Sequence, residues 1–258
     1  MPIEVVTLVA GAVSSFLSGL LGIGGGLVLT PLLLYVPGIV GAPLLSVKLV
    51  TGLTIVQAIS GSVLGSLRHR RYGNVSARLV RTMGPVSAAS SLLGALVSKD
   101  VPDRVLLFVF AAFALVGAIA LVLPVETQEG AVDELHVNVP LAVAIAATIG
   151  FFGGMVGIGA IAFIIAALVY VLRIPARVAI GSSLAIGFFA AVAAGVGKAA
   201  TAQIDPVLGA VVFVAALAAS PVGAALSQRT APGTLMRILA VVVGLTSLRI
   251  FYQALTGA

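Results

Sequence analysis

Two glycine-rich stretches are the most unusual chemical feature of this chain. Residues 22–26 read Gly-Ile-Gly-Gly-Gly and residues 157–159 read Gly-Ile-Gly, each in the middle of a long apolar run. Glycine lets a backbone leave helical geometry and lets another group approach it closely. At membrane depth a chain break is tolerated only where it is buried in protein or lines a cavity. A half-helix that restarts after such a break offers free N–H groups and a positive dipole end, both of which attract an anion. Gly24, Gly25, Gly26, Gly157 and Gly159 are therefore candidate substrate-binding residues, and Pro31 would loosen the half-helix after the first break. The competing reading is close helix packing, because Gly22-x-x-x-Gly26, Gly61-x-x-x-Gly65 and Gly153-x-x-x-Gly157 all fit the small-xxx-small pattern.

The runs that follow each break carry hydroxyl and small residues at helical spacing. Thr51, Thr54, Ala58, Gly61 and Gly65 share one face, as do Ser183, Gly187, Ala190, Ala194 and Gly197. Such a face packs tightly or lines a narrow polar path. Thr51, Ser182 and Ser183 stand out as candidate ligands because they come early in their runs and recur in both halves of the chain. Gln57 is an isolated amide inside a span and needs a partner there, either a neighbouring helix or a substrate. Lys48 and Lys198 lie within a turn or so of run ends. Snorkelling to the interface is the first reading of both, and the alternative is that they raise the potential at a cavity mouth and draw in anions. Pro85 and Pro221, after Gly84 and Ser220, are candidate gating or path residues together with Pro31 and the two lysines. The Arg68-His69-Arg70-Arg71 cluster reads as a topology anchor facing anionic lipid, and the two histidines, 69 and 136, give no metal signal.

What is missing narrows the chemistry further. All eight acids (Glu4, Asp100, Asp103, Glu126, Glu129, Asp133, Glu134 and Asp205) lie near a terminus or between apolar runs. Membrane proton relays, carboxylate-lined cation pathways and intramembrane aspartyl proteases need acids within the spans, and no HExxH helix is present for a zinc protease. The remaining groups are backbone N–H, hydroxyls, one amide and the lysines, all suited to an anion. No cofactor, metal or nucleic-acid partner is implied, and an intramembrane enzyme is hard to support without span acids, cysteines or paired histidines. There is no cysteine, so disulfide and thiolate chemistry are excluded.

The elements that must position these groups follow from composition. The chain has 258 residues, 60% of them hydrophobic and 9% charged, against about 25% charged in an average soluble protein. So few charges cannot clothe a water-facing surface, so the chain reads as a polytopic membrane protein embedded in a lipid bilayer. The net charge of +6 is better read as lysines and arginines holding cytoplasmic loops than as an affinity for nucleic acid. The start, Met-Pro-Ile-Glu-Val-Val, lacks a positive n-region, so the first run reads as a retained span. Apolar runs cover roughly 3–36, 45–67, 77–98, 103–123, 138–172, 176–198, 206–227 and 233–255. The stretch 124–137 reads as an acidic cytoplasmic linker between an N-terminal transmembrane repeat, 1–123, and a C-terminal one, 138–258.

The halves look like copies: Gly22-Ile23-Gly24 matches Gly157-Ile158-Gly159, and Thr51-Gly52-Leu53 after Pro43 resembles Ser182-Ser183-Leu184 after Pro175. Internal repeats of this kind build many secondary transporters. The first run of each half, about 34 residues, would reach about 50 Å as one helix, beyond a hydrocarbon core of about 30 Å. It is either a tilted broken helix or a hairpin that turns back at the glycines. Single crossings distribute the 14 Lys and Arg seven inside and seven outside; hairpins distribute them nine and five. The positive-inside rule favours the hairpin, which gives each half five segments and inverts one half relative to the other. The expected fold is thus all-α, with two inverted repeats, each a Gly-broken first segment plus three spans, about eight to ten transmembrane segments in all.

At Gly-Leu-Leu-Gly-Ile-Gly-Gly-Gly-Leu-Val-Leu-Thr-Pro-Leu-Leu (19–33) the sequence resembles the TauE/SafE family of sulfite exporters. The likeness extends through Thr51-Gly52-Leu53, the basic loop 68–75, the Gly-Pro at 84–85 and the weaker second copy from Gly153. Ala160 and Ile161 replace Gly25 and Gly26, and nothing matches Pro31, which implies a milder second break and an asymmetric site. The resemblance implies a permease for small sulfur-containing anions such as sulfite, sulfoacetate or related sulfonates. Combined with the repeat, it leads to an expected secondary transporter in the cell (inner) membrane, with alternating access at a midplane site between the two breaks. The other readings are an anion channel or a structural membrane subunit, and a homo-oligomer is compatible with each.

Overall fold

The structure is a computed structural model and describes residues 1–21, 25–71, 75–122, 137–158, 161–227 and 232–256. The expected linker, 124–137, lies outside these residues except for Val137, as do Gly24 and Gly159. Every described element is helical. The first half contains α1 (Ile3–Leu21), α2 (Gly26–Ile39), α3 (Val47–Arg71), α4 (Ala77–Val97) and α5 (Asp103–Val122). The second contains α6 (Val139–Val156), α7 (Ile161–Ala166) continued by one turn of π-helix (Ala167–Val171), α8 (Ala176–Ala200), α9 (Pro206–Ser227) and α10 (Pro232–Thr256).

The burial pattern is that of a bundle in lipid. Valines, leucines and phenylalanines stand exposed along α1 (Val5, Leu8, Val9, Val13), α5 (Phe108, Val116, Ile119) and α9 (Val207, Val214, Val222). Meanwhile Ser14, Ser15, Thr51, Thr54, Gln57, Ser87, Ser91 and Ser98 are buried. Water would make that exposed apolar surface costly, whereas hydrocarbon accepts it and forces hydroxyls to bond inward. Among the described residues four helices, α1, α6, α8 and α9, are each long and apolar enough to cross a membrane. The chain is a multi-pass membrane protein.

Both first runs turn back on themselves. Met1, Val6, Val9 and Val13 of α1 line a groove with Leu32, Val36 and Val40 from the far end of the run, so α2 returns beside α1. In the second half Ala142 and Ala146 of α6 share a cluster with Leu168 and Leu172. Of the two alternatives for these runs, the hairpin is the one the helices adopt. The second run breaks between α6 and α7. Here α6 ends on Gly157 in the left-handed region (φ +75°), and the N–H groups of Gly157 and Ile158 both bond the Gly153 carbonyl.

Packing between halves follows one exchangeable scheme. The first helix of each half lies along the fourth of the other, α1 with α9 and α6 with α4. These contacts are close because they are built from glycines. A Cβ on Gly19 would sit 2.1 Å from the Ser220 carbonyl oxygen, and one on Gly223 2.1 Å from that of Phe16. Gly94 and Gly154 repeat this at Phe151 and Ser91, with 1.9 and 2.1 Å. The third helices, α3 and α8, meet at the centre, and the fifth, α5 and α10, meet each other. Phe108 stacks near Phe251 with ring centroids 5.0 Å apart, Gly244 faces Ala118, and Arg104 bonds the carbonyls of Ala254 and Leu255, so α5 and α10 run antiparallel. Arg104 thereby satisfies carbonyls that the end of α10 leaves free.

Candidate functional site

The last turn of α8 carries Lys198, whose side chain is 0% exposed. This overturns the snorkelling reading of that residue: its amine points into the bundle, where four elements converge. Nζ lies 2.8 Å from Thr51 Oγ1 on α3, 2.9 Å from Ser98 Oγ just after α4, 2.9 Å from the Met155 carbonyl on α6 and 2.9 Å from Gln203 Oε1 in the α8–α9 loop. An ammonium has three N–H bonds to give, so four acceptors meet its full donor capacity with one shared.

Each acceptor is there for a local reason. The Met155 carbonyl belongs to the final turn of α6, where carbonyls lack partners within the helix and the negative end of the dipole favours a cation. The break at Gly157 creates that end. Gly157 also sits directly on α3, where a Cβ would lie 1.9 Å from the Thr51 carbonyl oxygen. Thr51 Oγ1 donates to the Lys48 carbonyl at 2.8 Å, which leaves its lone pairs for Lys198. Ser98 Oγ donates to the Ala95 carbonyl at 2.6 Å. Gln203 is held by its own backbone N–H, which donates to the Lys198 carbonyl at 2.9 Å, and by its amide nitrogen, which donates to Thr201 Oγ1 at 2.8 Å.

The first break meets the second. A Cβ on Gly26 would lie 3.0 Å from the Ile158 Cα, so the N-terminal end of α2 abuts the C-terminal end of α6 and their dipole ends have opposite sign. Gln57 is the fastening of the first break. Its amide reaches Ser14 and Ser15 Oγ at 2.7 and 2.8 Å. The amide orientation that satisfies both ends donates to the Gly25 carbonyl at 3.3 Å and accepts from the Ser15 N–H at 3.1 Å. Its partner is thus α1 and the turn into α2, which is the neighbouring-helix alternative. Gln57 lies ten residues into α3, about 15 Å by helical rise, so the Gly25 turn is at mid-depth; Thr51 and Lys198 sit closer to the Lys48 end.

Above Lys198 is an open polar pocket of about 510 Å³ lined by Ser46, Lys48, Lys99, Thr201, Gln203 and Asp205, among others. Lys48 Nζ bonds the Lys99 carbonyl at its rim, and Asp205 caps α9 by accepting from the Leu208 N–H at 2.9 Å. The ion pair seen within 4 Å among the described residues is Lys99 with Asp100, at 3.9 Å. No described carboxylate pairs with Lys198.

The remaining candidates are placed elsewhere. Ser182 Oγ accepts from the Ser76 N–H at 3.0 Å, tying α8 to the start of α4, and Ser183 Oγ donates to the Ile180 carbonyl. Both are buried, but they lie some 16 residues up α8 from Lys198, about 24 Å. Pro31 is buried within α2, whereas Pro85 and Pro221 face outward from α4 and α9. Among the described residues no group of three His, Asp or Glu could hold a metal.

A family model described as "Sulfite exporter TauE/SafE" matches residues 7–250. The chain belongs to this family. Similar sequences include "Probable membrane transporter protein YunE" of Bacillus subtilis (strain 168), 21% identical over 97% of this chain and 98% of that one. A "Probable membrane transporter protein" of Haemophilus influenzae is 33% identical over 61% of this chain and 60% of its own length. Another from Xylella fastidiosa is 30% identical over 72% and 70%. No solved structure matches the chain significantly. For this TauE/SafE chain, sequence reasoning missed Ser98, Gln203 and the Met155 carbonyl. The available signal for Gln203 was a short polar loop, Thr201-Ala202-Gln203-Ile204-Asp205, directly after a span-end lysine.

Proposed function

We propose that this TauE/SafE-family chain is a secondary transporter of small sulfur oxyanions and sulfonates, such as sulfite and sulfoacetate, with Lys198 as the cation that receives the substrate. The observation that carries the reading is the Lys198 amine itself, fully enclosed and held by neutral oxygens from four elements. Burying a charge without a counter-charge is expensive, and a small anion would supply the missing one. Its oxygens would replace acceptors that now surround Nζ, while the hydroxyls of Thr51 and Ser98 would turn to donate.

Alternating access about two inverted halves fits the packing. Matched helices run in opposite directions: Arg104 and Phe108 of α5 meet Ala254 and Phe251 of α10, and Thr51 near the start of α3 meets Lys198 near the end of α8. Inversion of one half on the other would produce that relation. A continuous anion pore is less compatible with a binding cation sealed on all sides. On the positive-inside rule, the end carrying Arg78, Arg81, Arg173 and Arg177 faces the cytoplasm and the Lys48–Lys99 pocket opens on the other side of the inner membrane.

The test is a melting-temperature screen of detergent-solubilised protein against sulfite, sulfoacetate and chloride. A ligand of the native state at 100 times its Kd stabilises by about 2.7 kcal/mol. Sulfite or sulfoacetate should raise the midpoint of the native chain and leave Lys198→Gln unshifted. Equal shifts in both proteins would remove Lys198 from the site.

A further inference from the structure

We infer that Gln203 is the gate between the polar pocket and Lys198, and that its carboxamide oxygen holds the place an oxygen of the incoming sulfur oxyanion takes. This rests on Lys198 as the substrate-binding cation. Gln203 is 4% exposed and, among the described Lys198 ligands, is the one that also lines the pocket of about 510 Å³. Its Oε1 accepts from Lys198 Nζ at 2.9 Å and lies 3.1 Å from Ser98 Oγ, whose one proton goes to the Ala95 carbonyl at 2.6 Å. The Lys198 ammonium, with a hydroxyl beside it that can turn to donate, is what an oxyanion would find in place of that oxygen. Its Nε2 donates to Thr201 Oγ1 at 2.8 Å and to the Ala95 carbonyl at 3.4 Å.

The loop is built so that the side chain, not the backbone, moves. The Gln203 carbonyl lies against α3 so closely that a Cβ on Gly52 would be 2.0 Å from it. The Gln203 N–H is fixed on the Lys198 carbonyl at 2.9 Å. Ala202, just before it, sits at φ +53°, a region that non-glycine residues occupy only when their surroundings force it. A pinned backbone with a long, flexible side chain between a pocket and a buried amine is the arrangement of a swinging plug. Rotation of the carboxamide into the pocket opens the path to Nζ and removes one of its four acceptors together. The anion enters past Lys48 at the pocket rim, and it takes the oxygen position on Lys198, where the Ser98 hydroxyl turns to donate to it. When it leaves, the carboxamide returns.

Gln203→Glu tests this directly, because it fixes an anion on the same arm. The tethered carboxylate pairs with Lys198 and competes with substrate, so the apparent Kd for sulfite should rise at least tenfold while the melting temperature without ligand rises. Gln203→Ala removes the competitor and the plug, and the apparent Kd should fall several-fold. A second readout uses the absence of native cysteine. Ser98→Cys should react slowly with a sulfonate-bearing methanethiosulfonate added from the pocket side, and at least tenfold faster when combined with Gln203→Ala. Unchanged sulfite affinity in Gln203→Glu, or unchanged labelling in the double variant, overturns the gate. Retention of sulfite binding by Lys198→Gln instead overturns the site on which the gate acts, so the two failures are distinguishable.

Discussion

Replacing Gly157 by alanine probes the joint on which the site depends. The substitution acts twice. It places a side chain on a residue at φ +75°, which costs about 1–2 kcal/mol for a left-handed L-residue. It also puts a Cβ 1.9 Å from the Thr51 carbonyl oxygen, so α3 and the end of α6 must separate by about 1.1 Å to reach 3.0 Å, the shortest contact real Cβ atoms show. Forcing atoms into a packed interior costs about 1–3 kcal/mol, for a total of about 2–5 kcal/mol. The displaced elements are those that present Thr51 Oγ1 and the Met155 carbonyl to Lys198, so ligand-induced stabilisation should shrink as well. The assay is reversible denaturation in detergent with and without sulfite, with Gly61→Ala as the control. A Cβ at Gly61 meets nothing within 4 Å, so alanine there should gain about 0.5–1 kcal/mol by restricting the unfolded chain. A Gly157→Ala protein as stable as Gly61→Ala would refute the reasoning that the second break is wedged against α3.

Three further outcomes follow from named contacts. Ser182→Ala leaves the buried Ser76 N–H without its acceptor and should lose about 1–3 kcal/mol of stability; transport per folded molecule should stay unchanged, as measured by flux normalised to incorporated protein. Gln57→Ala removes the amide that joins Ser14 and Ser15 to the α1–α2 turn. Hydrogen exchange should accelerate at Val28 and Leu29, whose N–H groups bond the Gly25 carbonyl, more than at the α5–α10 contact. Lys48→Ala lowers the positive potential at the pocket rim. It should raise the KM for sulfite several-fold with kcat unchanged, and the gap should close in high salt because exposed charges are screened over about 10 Å at 0.1 M.

Much of the architecture could be read from the chain because membrane spans announce themselves. Run boundaries such as 77–98 and 206–227 fall within a residue of α4 and α9. The charge tally, which moves Arg173, Arg177, Arg229 and Arg237 to the inside and Lys198 and Arg249 to the outside, favoured hairpins over single crossings. Thr51 and Gly157 were legible as well, and the structure brings them into contact. Lys198 was visible but misread. A lysine two residues from the end of a span normally reaches for the interface, and only the convergence of α3, α4 and α6 around the last turn of α8 turns it inward. Its ligands come from positions 51, 98, 155 and 203, a spacing that no local pattern encodes. Ser182 was drawn in by its match to Thr51. In that alignment the residue of α3 corresponding to Lys198 is Leu67, so the repeat duplicates the hydroxyl and not the lysine.

On the proposed function, a sulfur oxyanion crosses the membrane on a saturable site built around Lys198. Counterflow in proteoliposomes tests it most directly, with unlabelled sulfite inside, labelled sulfite outside, and native protein compared with Lys198→Gln at equal incorporation. Native protein should show saturable uptake that overshoots equilibrium, and Lys198→Gln should lose it. Uptake that never saturates, or that survives the loss of the lysine undiminished, would contradict it.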